Sequence, residues 1–255
     1  MKKQLVTIAL KSIIPIGVIV LWEVLVTVDI LPHQSIAPPS KALPAFFELL
    51  ITSTYWKHIF ISIYRLFTGF CLGGIFGIAL GYLVGYNKTL STILEPSILT
   101  LIPVPPMAWI PLLVALLGIG ELTKIALVSV GSFTVLFFAT SSGVRATDKK
   151  LLELAQVFKK TSKEITRQII FPSALRYILS NLRIVMALSW TLLLASEIIN
   201  ASSGIGWFIW DSRRFYRADE MIVGIITIGI LGKLSDFLLV KLQRYYSRWD
   251  TSITN

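Results

Sequence analysis

The sequence predicts an all-α membrane protein with about six transmembrane helices. Three observations carry that prediction. Mean hydropathy is +0.74. Hydrophobic residues make up 55% of the chain and charged residues only 15%. Apolar runs of about 20 residues recur along the 255 positions, and about 20 apolar residues are what a helix needs to cross the hydrocarbon core. A soluble domain would carry more charge at its surface.

In chain order, span 1 is expected near 11–29 and span 2 near 59–85. Span 3 follows near 94–117 and span 4 near 122–143. Span 5 is near 177–199 and span 6 near 221–240. The opening "MKKQLVTIALKSIIPIGVIVLW" has the look of a signal peptide but no small-residue cleavage site. Its apolar run continues to about Val28, so it reads as a retained span. In span 2, Gly69, Gly73, Gly77, Gly81 and Gly85 recur every four residues. That ridge lets a neighbouring helix approach closely, and the bundle packing it provides is preferred to a pore lining. In span 3, Pro103, Pro105 and Pro106 must distort the helix and free carbonyls that need partners. The distortion could shape a central gate or be a plain kink. Between spans 1 and 2, "PPSKALPAFFELL" reads as a short amphipathic helix capped by Ser40. Residues 200–220 form the other sizeable loop on that side, with Trp207, Trp210, Phe215 and Tyr216 suited to the membrane interface.

Charge sets the orientation. The chain holds 24 Lys and Arg, and 15 of them fall on one set of connections, eight in the single loop between spans 4 and 5. The positive-inside bias places both termini and that loop in the cytoplasm. The net charge of +10 is explained by this bias. It does not indicate nucleic-acid binding, because no basic recognition module appears. Cys71 is the single cysteine, so no internal disulfide is available. His33 and His58 are far apart and lie near segment ends, which argues against a metal site. No catalytic set of His, Cys, Asp and Glu converges within the spans, so no catalytic residue is assigned.

The loop "ELAQVFKKTSKEITRQIIFP", Glu153 to Pro172, carries six charges among helically spaced apolar residues. It reads as two short helices. Asp148 caps the first and leaves Leu151, Leu154, Ala155 and Phe158 on one face. Thr161 and Glu164 have capping-box spacing for the second. Pro172 is expected to break the chain before span 5. A short helix of this kind suits docking into a groove of another protein. Its pattern equally suits lying on a lipid surface.

These residues resemble the EAA loop of ABC importer permeases. The matching positions are Glu153, Leu154 and Ala155, then Lys159 six residues after the Glu, and Pro172 closing "IIFP". Leu154 stands where that family usually has Ala, and Lys159 where it has Gly. A Lys in the left-handed bend that Gly permits would be strained. The stretches 103–125, 195–215 and 223–239 are similar to the nitrate, sulfonate and taurine branch of these permeases. The resemblance covers about residues 35–250. It implies a type I importer permease domain over 35–250, with the coupling loop at 145–175. An N-terminal segment 1–34 precedes this domain, and a tail 251–255 follows it.

The resemblance further implies partners: two copies of an ABC ATPase, an extracytoplasmic solute-binding protein, and a second permease copy as a homodimer in the inner membrane lipid. No cofactor is expected on this chain. A phosphate loop needs Gly, four residues, then Gly-Lys-Ser/Thr; "TIGILGKL" has Thr227 for the first Gly and Leu234 for the Ser/Thr. ATP and Mg would belong to the partner ATPase. Leu151, Glu153, Leu154, Ala155, Phe158, Lys159 and Pro172 are the docking candidates.

Candidates for the translocation path or gate are Glu197 with Ser196, Arg65, Pro105, Trp109, Gly204 and Gly206. Ionisable groups inside a membrane face a cavity or a partner. Glu197 could instead be a structural anchor, and Arg65 either snorkels or pairs with Glu197. Arg183 is expected to snorkel to the cytoplasm. Gly204 and Gly206 would permit the turn after span 5. Arg213, Arg214 and Arg217 at the outer mouth would favour a small anion or pair with acids of the binding protein. The branch also includes permeases for vitamin-related ring compounds. An ion-coupled secondary transporter would show internal repeats and mid-membrane coupling carboxylates, and neither is evident.

Overall fold

The computed structural model of the chain describes residues 2–32, 35–101 and 103–246. His33 and the expected tail 251–255 lie outside them. Among the described residues the fold is helical, without strands. In order the helices are α1 (Lys2–Thr27), α2 (Pro39–Ile51), α3 (Ser53–Tyr86), α4 (Lys88–Leu99), α5 (Ile110–Leu117) and α6 (Glu121–Arg145). They continue as α7 (Lys149–Val157), α8 (Ser162–Ile165), α9 (Phe171–Asn200), α10 (Ile205–Arg214) and α11 (Ala218–Tyr246). Among the described residues, four helical stretches are long and apolar enough to cross a membrane: α3, α6, the continuous run Ser162–Ile199, and α11.

Span 3 is not one helix. Its apolar length is divided into α4, a 3-10 turn at Pro106–Trp109, and the eight-residue α5. The prolines explain the break. Pro103, Pro105 and Pro106 remove three backbone donors within four positions, and each restricts the residue before it away from helical geometry.

The chain forms two compact bodies. One comprises residues 62–201 with 230–255; the other comprises 1–61 with 202–229. In the first, the glycine ridge of α3 lies on α6. A Cβ on Gly73 would sit 2.1 Å from the carbonyl oxygen of Ser129, and one on Gly81 2.4 Å from that of Phe137. Gly77 and Gly85 meet Phe133 and Ser141 in the same way. Matching positions rise together along both helices, so α3 and α6 run parallel. Ser129 Oγ donates across the contact to the Gly69 carbonyl at 3.1 Å.

On another face α6 packs antiparallel to α9. Gly131 meets Leu192 near one end and Gly143 meets Ala174 near the other, with the Ser132 and Ser189 hydroxyls 3.1 Å apart between them. The central cluster joins Leu66, Leu127, Val128, Met186, Trp190, Leu192 and Leu193. Trp190 Nε1 donates to Ser235 Oγ at 3.0 Å.

In the second body, α2 starts differently from the sequence reading. Ser40 does not cap the helix; it lies in the first turn, after Pro38 and Pro39. Glu23 of α1 does the capping from outside, accepting from Ser40 N at 3.0 Å and Ser40 Oγ at 2.7 Å. A carboxylate at a helix N-terminus satisfies open donors and complements the dipole. Ala37, Ala42, Ala218 and Ile222 form the small core there, with Trp22 and Met221 against it.

Candidate functional site

The loop between α6 and α9 is built as the capping signals require. Asp148 Oδ1 accepts from Lys150 N at 2.9 Å and starts α7. Thr161 and Glu164 form a complete capping box that starts α8. The exposed Glu164 lies ahead of the apolar stretch of α9. The backbone N–H and hydroxyl of Thr161 hold its carboxyl below the ordinary range.

Between the two helices, Lys159 takes φ 52°. Lys160 N reaches back to the Ala155 carbonyl at 3.0 Å, and Lys159 N to the Gln156 carbonyl at 2.9 Å. These are the paired bonds of a Schellman motif, with Lys159 at the position that normally takes glycine. The bend therefore keeps the geometry that suits glycine and carries the strain of a side chain there. Lys160 Nζ also donates to Gln168 Oε1.

One of the expected docking residues sits elsewhere. Ala155 is 3% exposed and turns toward the helix bundle. Leu152, on the same side of α7, packs on the cluster of Val144, Ile170 and Ala174. Leu151, Leu154 and Phe158 are exposed, as is Val157, which the sequence reading passed over. So α7 is rooted by one face and shows a second apolar face outward. Val157 continues that outward face only once Ala155 is seen to point inward. Glu153 and Lys159 are exposed beside it.

Pro172 does not break the chain. Helix continues through it because Thr166–Ile170 forms a π turn, in which Phe171 N bonds the Thr166 carbonyl. The wider turn makes room for the proline ring, which would clash with the carbonyl four residues back in a regular helix.

A second constellation lies among α3, α6 and α9. Arg65 and Glu197 are both 0% exposed and pair through Arg65 Nη1 and Glu197 Oε1 at 2.8 Å. Ser62 Oγ lies within hydrogen-bonding distance of both Glu197 oxygens, at 2.8 and 3.0 Å. The rest of the guanidinium grips Glu121, with Nε to Oε2 at 2.5 Å and Nη2 to Oε1 at 2.6 Å. Lys124 adds a contact to Glu121 at 3.2 Å. Two cations and two carboxylates thus neutralise one another. Arg65 is a partner of Glu197, not a snorkelling side chain. Glu121 escaped the sequence reading because it lies one residue outside the expected span 4.

Ser196 is buried, and its hydroxyl bonds the Leu193 carbonyl of its own helix. Pro105 is exposed at the break in span 3. Trp109 is half-buried against the central cluster and borders a cavity of about 330 Å³ with Ile98, Pro106, Val130 and Phe133.

In the other body, Gly204 takes φ 108° at the start of α10, a conformation suited to glycine. Gly206 does not share that role; it is buried in the first turn of α10. His58 Nδ1 accepts the Gly204 N–H at 3.1 Å, and its ring stacks on Trp207. Arg217 is tied to Asp211 and Glu220, both at 2.6 Å. Arg213 lies over the Trp210 ring at 5.3 Å. Arg213 and Arg214 line a cavity of about 790 Å³ with Ser35, Trp210 and Tyr216. Among the described residues no group of three or more His, Cys, Asp and Glu could hold a metal ion.

Comparison with known proteins agrees with this architecture. A permease of Bacillus subtilis (strain 168) named for the transport of aliphatic sulfonates is 32% identical over 240 residues, 94% of this chain and 87% of that protein. The taurine transport system permease protein of Escherichia coli (strain K12) is 30% identical over 233 residues, 89% and 85% of the two chains. In fold, the chain resembles a solved chain of the inward-facing MetNI methionine ABC transporter. The TM-score is 0.63 at 18% identity, covering 75% of this chain and 96% of that one. Residues 73–249 match the family model described as "Binding-protein-dependent transport system inner membrane component". The chain belongs to that family, as a membrane-spanning permease subunit of an ABC importer.

Proposed function

We propose that this permease carries a small anion of the sulfonate, taurine or nitrate kind into the cell, driven by an ATPase that docks on α7. The observation that carries the docking is the two-faced α7. Ala155 and Leu152 root it in the bundle, while Leu151, Leu154, Val157 and Phe158 stand exposed on a rigid, capped helix. Contiguous exposed apolar residues on an ordered element favour a partner's groove.

ATP and Mg²⁺ are held by that partner. The segment Thr227–Leu234 lies inside α11, so it forms no phosphate-binding loop, and it lacks the residues such a loop needs. Two permease copies, two ATPase copies and a solute-binding protein complete the transporter, with both termini of this chain in the cytoplasm. The relatives named for sulfonate and taurine transport support an anionic solute. Arg213 and Arg214 beside a sizeable cavity support it too.

The test is mild-detergent purification of the tagged permease from its native membrane. An ATPase with a phosphate-loop sequence is expected among the recovered proteins. Phe158→Asp and Leu154→Asp should each cut its recovery at least about tenfold, the effect of losing ~1.4 kcal/mol of binding, while circular dichroism and size-exclusion profiles stay unchanged. Full recovery with both variants would rule out α7 as the docking element.

A further inference from the structure

We infer that the proline break between α4 and α5 faces the water-filled translocation path, and that the cavity behind it takes the apolar body of an organic anion. The inference rests on the transport reading above. It narrows the solute to an anion that carries a hydrocarbon or aromatic body, which nitrate lacks.

The break lies at mid-membrane. Val130, Phe133 and Thr134 border the cavity, and they surround the midpoint of the 25-residue α6. At 1.5 Å per residue that midpoint is roughly 18 Å from either end of the helix. It therefore sits deep in a hydrocarbon core about 30 Å thick. Leu101, Val104 and Pro106 border the same cavity from the other side. Thr100, Leu101, Pro103, Val104 and Pro105 are non-helical, and all five are exposed.

Most of these side chains are apolar and would suit lipid, but their backbone does not. Pro103 has no N–H for the Leu99 carbonyl. The Val104 N–H turns to the Leu101 carbonyl at 3.2 Å instead of that of Thr100. Irregular backbone at this depth is tolerated only where it is buried in protein or faces water. The same segment of a second copy would make a poor cover, because its three prolines bring no donors. Water brings donors, so the released carbonyls belong on the wet side.

The cavity holds about 330 Å³, the size of a small-molecule site. None of its lining residues is charged. The Thr134 hydroxyl is already used, donating to the Val130 carbonyl at 2.8 Å. The intramembrane charges of this body are engaged elsewhere, Arg65 with Glu121 and Glu197. Arg183 does not snorkel; its Nε and Nη2 grip the Asp236 carboxylate at 2.5 and 3.1 Å. A solute's charged group therefore stays in the water, and its apolar body gains by leaving water for Leu101, Val130 and Phe133.

The test uses the assembled transporter in membrane fragments, in a Cys71→Ser background, because Cys71 is itself exposed. Single cysteines replace Val104, Met107 or Ala108, all exposed at the break. Ile75→Cys, on the exposed apolar face of α3, serves as the control. A sulfonated methanethiosulfonate should modify the three break cysteines and leave Ile75→Cys unmodified. Sodium hexanesulfonate at about 10 mM fills roughly nine-tenths of a site with a Kd of about 1 mM, and should slow modification of Met107→Cys at least about threefold. Sodium nitrate at the same concentration should leave the rate unchanged. Val130→Phe, which fills the cavity, should remove the protection and keep the reaction.

Break cysteines that resist the charged reagent would overturn the inference and make the break a dry contact with another chain. Equal protection by nitrate, no protection by hexanesulfonate, or protection that survives Val130→Phe would overturn the assignment of the cavity. ATPase recovery is measured on the same preparations, so a dry break in a transporter that still holds its ATPase refutes this inference and leaves the transport reading standing.

Discussion

Removing the Glu197 carboxylate should destabilise the chain more than removing Glu197 and Arg65 together. The structure sets the sizes. Arg65 is fully buried and has two acids, Glu197 on one edge and Glu121 on the other. Glu197→Leu leaves the guanidinium with Glu121, whose side chain is 52% exposed, so the cost falls near the lower end of the 3–5 kcal/mol typical of a broken buried pair, about 3 kcal/mol. Arg65→Met takes the guanidinium from the fully buried Glu197 carboxyl and falls near the upper end, about 5 kcal/mol. The double variant removes both fully buried charges, and the buried Lys124 keeps Glu121 as its partner. Its cost should be about 1–2 kcal/mol, because replacing a whole buried pair with apolar groups is close to neutral. The coupling energy of the cycle is then several kcal/mol. Unfolding of the purified permease in mixed micelles of rising SDS fraction, followed by circular dichroism, measures each corner. Additive costs, or a Glu197→Leu cost below about 1 kcal/mol, would refute the account of a mutually neutralised cluster.

Gly73→Ala should cost about 3 kcal/mol or prevent folding, because its Cβ would meet the Ser129 carbonyl at 2.1 Å. Gly229→Ala, with nothing within 4 Å of the added Cβ, should leave SDS unfolding unchanged or slightly improved, and equal effects would refute the ridge argument. Lys159→Gly should stabilise the loop by about 0.5–1 kcal/mol, the left-handed strain less the extra freedom of glycine in the unfolded chain. Hydrogen exchange of the Lys160 amide, bonded to Ala155, should slow about two- to fivefold, and acceleration would show that Lys159 is not strained. Ala155→Leu should overpack the root of α7 at a cost of about 1–3 kcal/mol. It should spare ATPase recovery while transport per ATP hydrolysed falls; loss of the ATPase instead would place Ala155 on the docking surface.

The parts of this fold legible in the sequence are those set by local rules. Helix starts at Asp148 and Thr161 follow from capping chemistry within three residues, and the structure has both. The glycine ridge of α3 was legible because its period of four matches a helix face, although its partner α6 was not. What escaped depends on contacts distant in sequence. Ser40 looked like a cap because the acceptor that serves α2, Glu23, lies 17 residues away. Pro172 looked like a break because a π turn leaves no local signal. Ala155 looked like part of an outward stripe because periodicity gives the spacing of a face and not its direction. Glu121 was missed because it belongs to Arg65 only after α3 and α6 are brought together.

The same contacts give a mechanical reading of the body formed by residues 62–201 and 230–255. The root of α7 bears on Val144, Ile170 and Ala174, where α6 and α9 meet. From Ala174 to Glu197 the helix runs unbroken, a distance of roughly 35 Å at 1.5 Å per residue. Gly131, Gly143 and the Ser132–Ser189 contact keep α6 close against α9 along that length. The parallel α3 is locked to α6 by the glycine ridge and to α9 by Arg65 and Glu197. A pull on α7 would therefore move α3, α6 and α9 as one piece, because close-packed interfaces do not shear cheaply. The compliant element is the broken third segment, where prolines remove the backbone bonds that stiffen a helix. If an ATPase docks on α7, the charge cluster would fasten that piece far from where force enters, and the proline break would be the place that yields.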